Sequence, residues 1–237
     1  MNIASKFTTP QTIEFDHVDV VWGDGTTSTC PPDSAECTID WVYNDPGPDI
    51  GTVTGSHAYR DPGIYTLQVT VQDIFGQFDT STYEFVVVYD PEGGFVTGGG
   101  WIDSPPGAYV PDPGLAGKAT FAFVSKYKRG ATVPTGNTHF QFKAGELGFH
   151  SESYDWLVVN RGGSWARFKG SGLVNGNLDP NGNEHRFMLW AGDGAISGDP
   201  DTFRIKIWEE DASGVEHIIY DNGFDQPIGG GSIHIQR

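Results

Sequence analysis

The chain has 237 residues and a formal net charge of −17 at pH 7, which is length enough for one large or two ordinary domains. A field this negative repels nucleic acid and anionic membranes, so we expect no nucleic-acid partner. The 7 Trp, 9 Tyr and 15 Phe predict ordered aromatic cores, and the 33 Gly and 15 Pro predict dense turns. No run of apolar residues is long enough to span a bilayer, so we expect no membrane insertion.

The composition favours an extracellular location. Lys is scarce, Thr, Gly and Asp are abundant, and there are two cysteines. Residues 1–5 lack the charged and apolar regions of a signal peptide. We therefore predict a fragment of a larger exported protein, either secreted or held at the cell surface. A cytosolic acidic protein is the alternative.

The acidity is unevenly distributed along the chain. Residues 1–92 hold 15 Asp and Glu against two Lys and Arg, a net charge of −13, whereas residues 93–237 hold 16 against 12, a net charge of −4. This contrast predicts two domains, 1–92 and 93–237. The turn-forming linker at 90–94 is short, so we expect the domains to touch.

The first domain has clear strand signals. Residues 20–26 predict a strand that runs into an Asp-Gly turn. At 61–63 an Asp-Pro-Gly turn precedes residues 65–72, in which apolar and polar residues alternate as in a half-buried strand. Residues 39–43 and 82–89 predict two further strands.

Three motifs follow one another in this domain: Trp-Gly-Asp-Gly-Thr at 22–26, His-x-Tyr at 57–59, and Pro-Gly-x-Tyr-x-Leu-x-Val-x-Val-x-Asp at 62–73. Together they resemble the signature of a PKD domain, a family named after the polycystic kidney disease protein and common in secreted bacterial proteins. The resemblance implies an immunoglobulin-like β-sandwich of about seven strands.

Cys30 and Cys37 bracket a short Pro-rich segment. In an exported chain this pair predicts a local disulfide that pins a loop tip. A metal site is disfavoured, because no second Cys pair or His cluster completes a tetrahedral set. The spacing excludes a redox Cys-x-x-Cys motif.

Three aspartates of the first domain are candidate calcium ligands. Some PKD domains bind calcium, and hard cations need several oxygen ligands from adjacent loops, which Asp24, Asp73 and Asp79 could supply. The alternative is that these side chains accept hydrogen bonds from backbone N–H groups in their own turns. For His57 we expect a packed or hydrogen-bonded structural role rather than chemistry.

Residues 93–237 predict a second all-β domain, a sandwich or jelly roll without helical periodicity. Strands are expected near 118–127, 138–144, 156–160, 165–170, 186–190, 203–208, 216–220 and 232–236. Phe140 and Phe142 alternate with His139 and Gln141, which indicates one buried and one wet face.

Several segments of this domain are distinctive in sequence. They read Gly-Gly-Phe-Val-Thr-Gly-Gly-Gly-Trp-Ile, Ser-Lys-Tyr-Lys, Pro-Thr-Gly-Asn-Thr, Tyr-Asp-Trp-Leu-Val-Val, Phe-Lys-Gly-Ser-Gly, Phe-Arg-Ile-Lys-Ile-Trp and Tyr-Asp-Asn. They resemble a C-terminal module that recurs after PKD-like repeats in secreted bacterial proteins. The resemblance implies export and a terminal position, and it brings no activity.

Catalytic motifs are missing from the sequence. There is no His-Glu-x-x-His and no Gly-x-Ser-x-Gly, and no pair of carboxylates can be singled out for glycoside hydrolysis. We therefore predict that the protein is not an enzyme. The acidic loop at 193–201 offers Asp193, Asp199 and Asp201 as candidate calcium ligands, with a plain turn as the alternative.

An aromatic platform is the candidate ligand-binding surface. By strand alternation Trp208 shares a face with Arg204 and Lys206, so we expect it to be at least partly exposed, and Trp165 shares a face with two further cations. Aromatic platforms flanked by charged donors often bind sugar rings. The alternative is that these tryptophans lie under loops or in a domain contact.

Three functional interpretations follow. The first is a non-catalytic spacer and adhesive module that contacts a polysaccharide or another cell-surface component. The second is a subunit of an extracellular filament or surface assembly, in which strand edges pair between copies of the chain. The third is a carbohydrate-binding module of a secreted enzyme.

Overall fold

The computed structural model describes residues 2–9, 15–30, 37–42, 49–88, 90 and 94–237. Its strands confirm the predicted all-β fold class. The chain divides into two compact units, Met1–Val88 and Tyr89–Arg237. The division precedes Tyr89, whereas the charge distribution placed it after Glu92. No helix in the described part of the chain is long and apolar enough to cross a membrane.

The first unit is an immunoglobulin-like sandwich. Its strands are β1 (Asn2–Thr9), β2 (Phe15–Val21), β3 (Thr27–Cys30), β4 (Cys37–Val42), β5 (Asp49–Ser56), β6 (Gly63–Asp73) and β7 (Phe78–Val88). They pair antiparallel in two sheets, of order β1-β5-β4 and β3-β2-β6-β7. The alternation predicted for β6 is present, because Leu67 and Val69 are buried whereas Thr66 and Gln68 are exposed.

A disulfide between Cys30 and Cys37 joins the two sheets of this unit. Cys30 ends β3 and Cys37 begins β4, and their Cα atoms are 5.8 Å apart. The predicted pairing is confirmed. Both cysteines are buried in the core with Val18, Val20 and Val53. Residues 31–36 between them lie outside the described residues.

The second unit is built from one antiparallel sheet. Its strands are β8 (Phe95–Ser104), β9 (Gly117–Lys126), β10 (Thr135–Phe142), β11 (Leu147–Val159), β12 (Trp165–Val174), β13 (His185–Gly192), β14 (Thr202–Glu210), β15 (Glu216–Asp221), β16 (Gln226–Pro227) and β17 (Gly230–Gln236). The order is β15-β14-β13-β12-β11-β10-β9-β8-β17, with β16 beside β14. A short helix, α1 (Gly194–Ser197), and a 3-10 turn at Lys143–Gly145 complete the unit.

This sheet curls back on itself around an aromatic core. Phe121 of β9 and Phe203 of β14 stack with ring centroids 3.9 Å apart, although β10 to β13 separate their strands in the sheet order. Phe140 of β10 contacts Tyr220 of β15 with tilted rings, whose centroids are 4.7 Å apart. Aromatic side chains therefore fill the space between the two arms of one sheet, which gives a sandwich without a second sheet.

Candidate functional site

The predicted aromatic and cationic residues do share a face, on the side of β12, β13 and β14 that points away from the main core. In the strand register Arg167 lies opposite Trp190, which lies opposite Arg204. Two residues further along, Met188 lies opposite Lys169 on one side and Lys206 on the other. These rows of tryptophans, cations and Met188, together with Trp165 and Trp208, are called the tryptophan–cation layer below.

Within this layer the predicted exposure of Trp208 is wrong, because only 2% of the residue is exposed. The ammonium groups of Lys206 and Lys169 lie over its ring, 4.8 Å and 5.3 Å from the centroid. Its indole N–H donates a 3.0 Å hydrogen bond to Glu210. Period-two alternation places Trp208 on the correct face, but long cationic side chains cover it there.

The other tryptophans of the layer are covered in the same manner. The guanidinium of Arg167 lies 4.8 Å from the Trp165 ring centroid, and that of Arg204 lies 4.5 Å from the Trp190 centroid. Both tryptophans are half-buried. A sugar that stacked on these rings would have to displace a cation, so the layer is a poor open platform.

Two cations of the layer, Arg204 and Lys206, also form ion pairs with acidic side chains of the same unit. Arg204 binds Asp221 with two hydrogen bonds, of 3.1 Å from Nε and 3.0 Å from Nη2. Lys206 pairs with Glu216. A bidentate guanidinium–carboxylate pair fixes the orientation of Arg204 over Trp190. The layer therefore stabilises the outer face of the sheet, and Trp208, Arg204, Lys206 and Trp165 form a packed structure rather than a free binding surface.

A second feature of the sheet, which the sequence analysis did not identify as a site, is an open groove of about 480 Å³ across β9, β10 and β11. Its lining residues with outward side chains form two rows in the strand register. They are Ala122, His139, His150 and Leu173 in one row, and Thr120, Gln141 and Gly148 in the other. Small residues at Ala122 and Gly148 leave the space, and neutral polar side chains line it.

One end of the groove is held by Asn175. Its backbone is left-handed, with φ of 52°, and its Oδ1 accepts a 2.7 Å hydrogen bond from the N–H of Gly148. A Cβ atom at Gly148 would lie 3.3 Å from this oxygen, closer than such contacts usually are. The glycine thus permits the close approach of Asn175 that shapes the wall.

Two histidines face each other in the middle of the groove. His139 and His150 are directly opposite on β10 and β11, and their Nδ1 atoms are 3.2 Å apart. Their ring centroids are 4.3 Å apart. Partial burial lowers the pKa of His139, and the neighbouring His150 lowers it further. The pKa shift favours neutral imidazole at His139 near pH 7.

The candidate calcium ligands of the first unit accept hydrogen bonds from backbone N–H groups. Oδ1 of Asp24 accepts from the N–H of Thr26, Oδ1 of Asp73 accepts from the N–H groups of Phe75 and Gln77, and Asp79 accepts from its neighbour Thr80. The alternative considered for these residues, hydrogen bonding in their own turns, is therefore present.

Two of the acidic-loop candidates hold the edge of β17. Asp193 accepts hydrogen bonds from the N–H groups of Ala195 and Ile235, at 3.0 Å and 2.9 Å. Asp201 accepts from those of Gly194 and Ile233, both at 2.7 Å. Asp193 also caps α1, whose presence the sequence analysis missed. All four of these carboxylate oxygens are thus used by the fold.

Asp199 is the third acidic-loop candidate. Its main-chain N–H donates a hydrogen bond to the hydroxyl of Ser197 within the loop. Across the described residues, no three His, Cys, Asp or Glu side chains come together as a group that could hold a metal ion. Calcium binding at the predicted residues stays a prediction.

Comparison of the chain with known protein families, with curated proteins and with solved structures gives no match. Function has therefore to be inferred from the geometry of the molecule.

Proposed function

We propose that the chain is a non-catalytic part of an exported protein, secreted or held at the cell surface, and that its second unit contacts a polysaccharide through the groove. The acidic first unit, with its resemblance to PKD domains, serves as a stiff spacer in this proposal. The buried disulfide between Cys30 and Cys37 supports export, since such bonds persist in oxidising compartments.

The single observation that carries the glycan contact is the chemistry of the groove. Its polar side chains Thr120, His139, Gln141 and His150 are donors and acceptors without a permanent charge. Sugar hydroxyls both donate and accept hydrogen bonds, so they can pair with side chains of this kind. A volume of about 480 Å³ lies within the usual range of small-ligand sites. In the tryptophan–cation layer, by contrast, cationic side chains lie over the rings of Trp165, Trp190 and Trp208.

The test is a glycan array with the whole chain, followed by calorimetry with the glycans that bind. Gln141→Ala and His139→Ala should each weaken binding roughly tenfold, because each removes one hydrogen bond to the ligand. Gln68→Ala, at an exposed glutamine on β6, is the matched control and should bind like the parent. If the parent binds no glycan, or if both groove variants bind unchanged, the glycan contact is wrong.

Self-association is the second candidate, and one observation favours it. The hairpin between β6 and β7 exposes Ile74, Phe75 and Phe78, and the two phenylalanines are each 73% exposed. β7 is also at one end of its sheet order, where a further strand can pair. Light scattering should then show oligomers for the parent and monomers for Phe75→Ser. A monomeric parent at high concentration removes this candidate.

Calcium binding also remains a proposal, supported by the net charge of −13 on residues 1–92. Millimolar calcium should raise the melting temperature of the first unit more than that of the second. The expected stabilisation is small, about 1–2 kcal/mol, because binding near millimolar affinity contributes little free energy. Melts in calcium, magnesium and chelator at fixed ionic strength measure this. If the melting curves in all three conditions coincide, the chain has no calcium site, and its acidity contributes only to solubility.

A further inference from the structure

The groove contains a pair of imidazoles whose separation suits a metal ion. His139 and His150 face outward from neighbouring strands, with their Nδ1 atoms 3.2 Å apart. Zinc–nitrogen bonds are about 2.0–2.1 Å long, and two of them at a tetrahedral angle hold the nitrogens about 3.3 Å apart. The observed Nδ1–Nδ1 distance is close to this value, and the two rings have to turn about their side-chain torsions for both lone pairs to converge on one ion.

The strand register places these two residues opposite each other. In the β10–β11 register, Phe140 lies opposite Phe149 and Phe142 lies opposite Leu147. All four of these side chains are buried in the core. Core packing on one face of the strands therefore positions the imidazoles on the other. Without a metal, the same contact is a hydrogen bond in which one Nδ1–H donates to the other Nδ1.

We propose that His139 and His150 bind a divalent ion of the nitrogen-preferring class, such as Zn²⁺ or Cu²⁺, through their Nδ1 atoms. This site goes beyond the proposed glycan contact, which needs no metal. It differs from the predicted calcium sites in both place and chemistry, because its protein ligands are neutral imidazoles rather than carboxylates.

The surroundings of the pair favour this class of ion over calcium. The residues that line the groove include no Asp, Glu, Lys or Arg, so no carboxylate is available to a hard cation and no ammonium repels a metal. An imidazole coordinates a metal ion in its neutral form, through a ring nitrogen that carries no proton. With two protein ligands, the other coordination positions open into the groove, where water or the oxygens of Gln141 and Thr120 can fill them.

The experiment is calorimetric titration of the full chain with Zn²⁺ at pH 7.5, without any glycan. One equivalent should bind to the parent, and His139→Gln and His150→Gln should each weaken that binding roughly tenfold or more. His217→Gln, at an exposed histidine in the β14–β15 hairpin, is the matched control and should bind like the parent. Thermal melts of all variants establish that they fold.

Electron paramagnetic resonance with Cu²⁺ is an independent measurement of the number of nitrogen ligands. The spectrum should show two coordinated nitrogens in the parent and one in either His139→Gln or His150→Gln. The inference is overturned if the parent binds no Zn²⁺, or if both groove variants bind it as the parent does. Because the titration contains no glycan, its failure leaves the proposed glycan contact standing. A loss of glycan binding likewise leaves this site untouched.

Discussion

Asp24 and His57, separated by 33 positions in the chain, are in direct contact, with Oδ2 of Asp24 and Nε2 of His57 2.8 Å apart. The imidazole also stacks on Trp22, with ring centroids 4.7 Å apart, and the hydroxyl of Tyr59 donates to the carbonyl of Trp22. The motifs at 22–26 and 57–59 therefore form one hydrogen-bonded and stacked cluster. His57 is packed and hydrogen-bonded, as expected.

This cluster makes the stability of the first unit depend on pH. The hydroxyl of Thr26, followed by His57 and the Thr26 N–H, lowers the pKa of Asp24 from its usual 3.8 to about 2. A lowered pKa stabilises the fold when the carboxyl is ionised, so the contribution is present above pH 4 and is lost as the pH falls towards 2.

We expect Asp24→Asn to remove this dependence and to cost about 1 kcal/mol at pH 7, because the side chain is close to solvent. Urea unfolding at several pH values between 2 and 7 measures both effects. Asp40→Asn, at an exposed aspartate on β4, is the control and should keep the parent's pH profile. Identical profiles for the parent and Asp24→Asn would contradict the expectation.

The disulfide between Cys30 and Cys37 gives a second prediction. Replacing both cysteines by alanine should destabilise the first unit by about 2–3 kcal/mol, since the bond closes a short loop and links two sheets. Urea unfolding with and without reductant measures the loss. Intact mass after thiol alkylation provides the control, and two alkylated thiols in native, unreduced protein would show that the bond is absent.

The strands of the second unit could be predicted from the sequence where alternation is regular. Phe140 and Phe142 lie in the core and His139 and Gln141 lie outside, as the pattern indicates. The first part of β11 was missed because its register shifts twice, near Ser151 and near Tyr154. Such bulges break the period-two pattern that identifies a strand.

The candidate site was harder to predict, because it depends on neighbours that are distant in sequence. Alternation places Trp208 on the outward face correctly, yet burial there is decided by Lys169, which reaches the ring from another strand. Likewise nothing local in the sequence pairs His139 with His150; that contact follows from the register of β10 and β11. Both features depend on which residues of neighbouring strands are opposite each other, and the sequence pattern of a single strand does not give this register.

The burial of Trp208 leads to a third prediction. Trp208→Ala should destabilise the second unit by about 3–5 kcal/mol, as for other buried tryptophans, because it leaves a void under Lys169 and Lys206. Trp165→Ala, at a half-buried ring, is the matched comparison and should cost clearly less. Thermal and urea unfolding measure both. A Trp208→Ala protein as stable as the parent would mean that the ring is not part of a packed layer.

The last prediction concerns how the curled sheet is held at β17. One edge of this strand pairs with β8, and on the other its N–H groups at Ile233 and Ile235 donate to Asp201 and Asp193. Asp193→Ala leaves the buried N–H of Ile235 without its acceptor and uncaps α1, so we expect a loss of about 2–3 kcal/mol. Asp199→Ala, in the same loop, should change stability by less than about 0.5 kcal/mol.

Hydrogen exchange tests the mechanism directly. In Asp193→Ala the amide of Ile235 should exchange faster, while the amides of β10 in the middle of the sheet keep their protection, because only the β17 edge loses a partner. Asp199→Ala serves as the control and should leave the exchange of Ile235 unchanged. Equal protection of Ile235 in the parent and in Asp193→Ala would show that this carboxylate does not hold the edge of β17, and the curled sheet would then depend on its aromatic core alone.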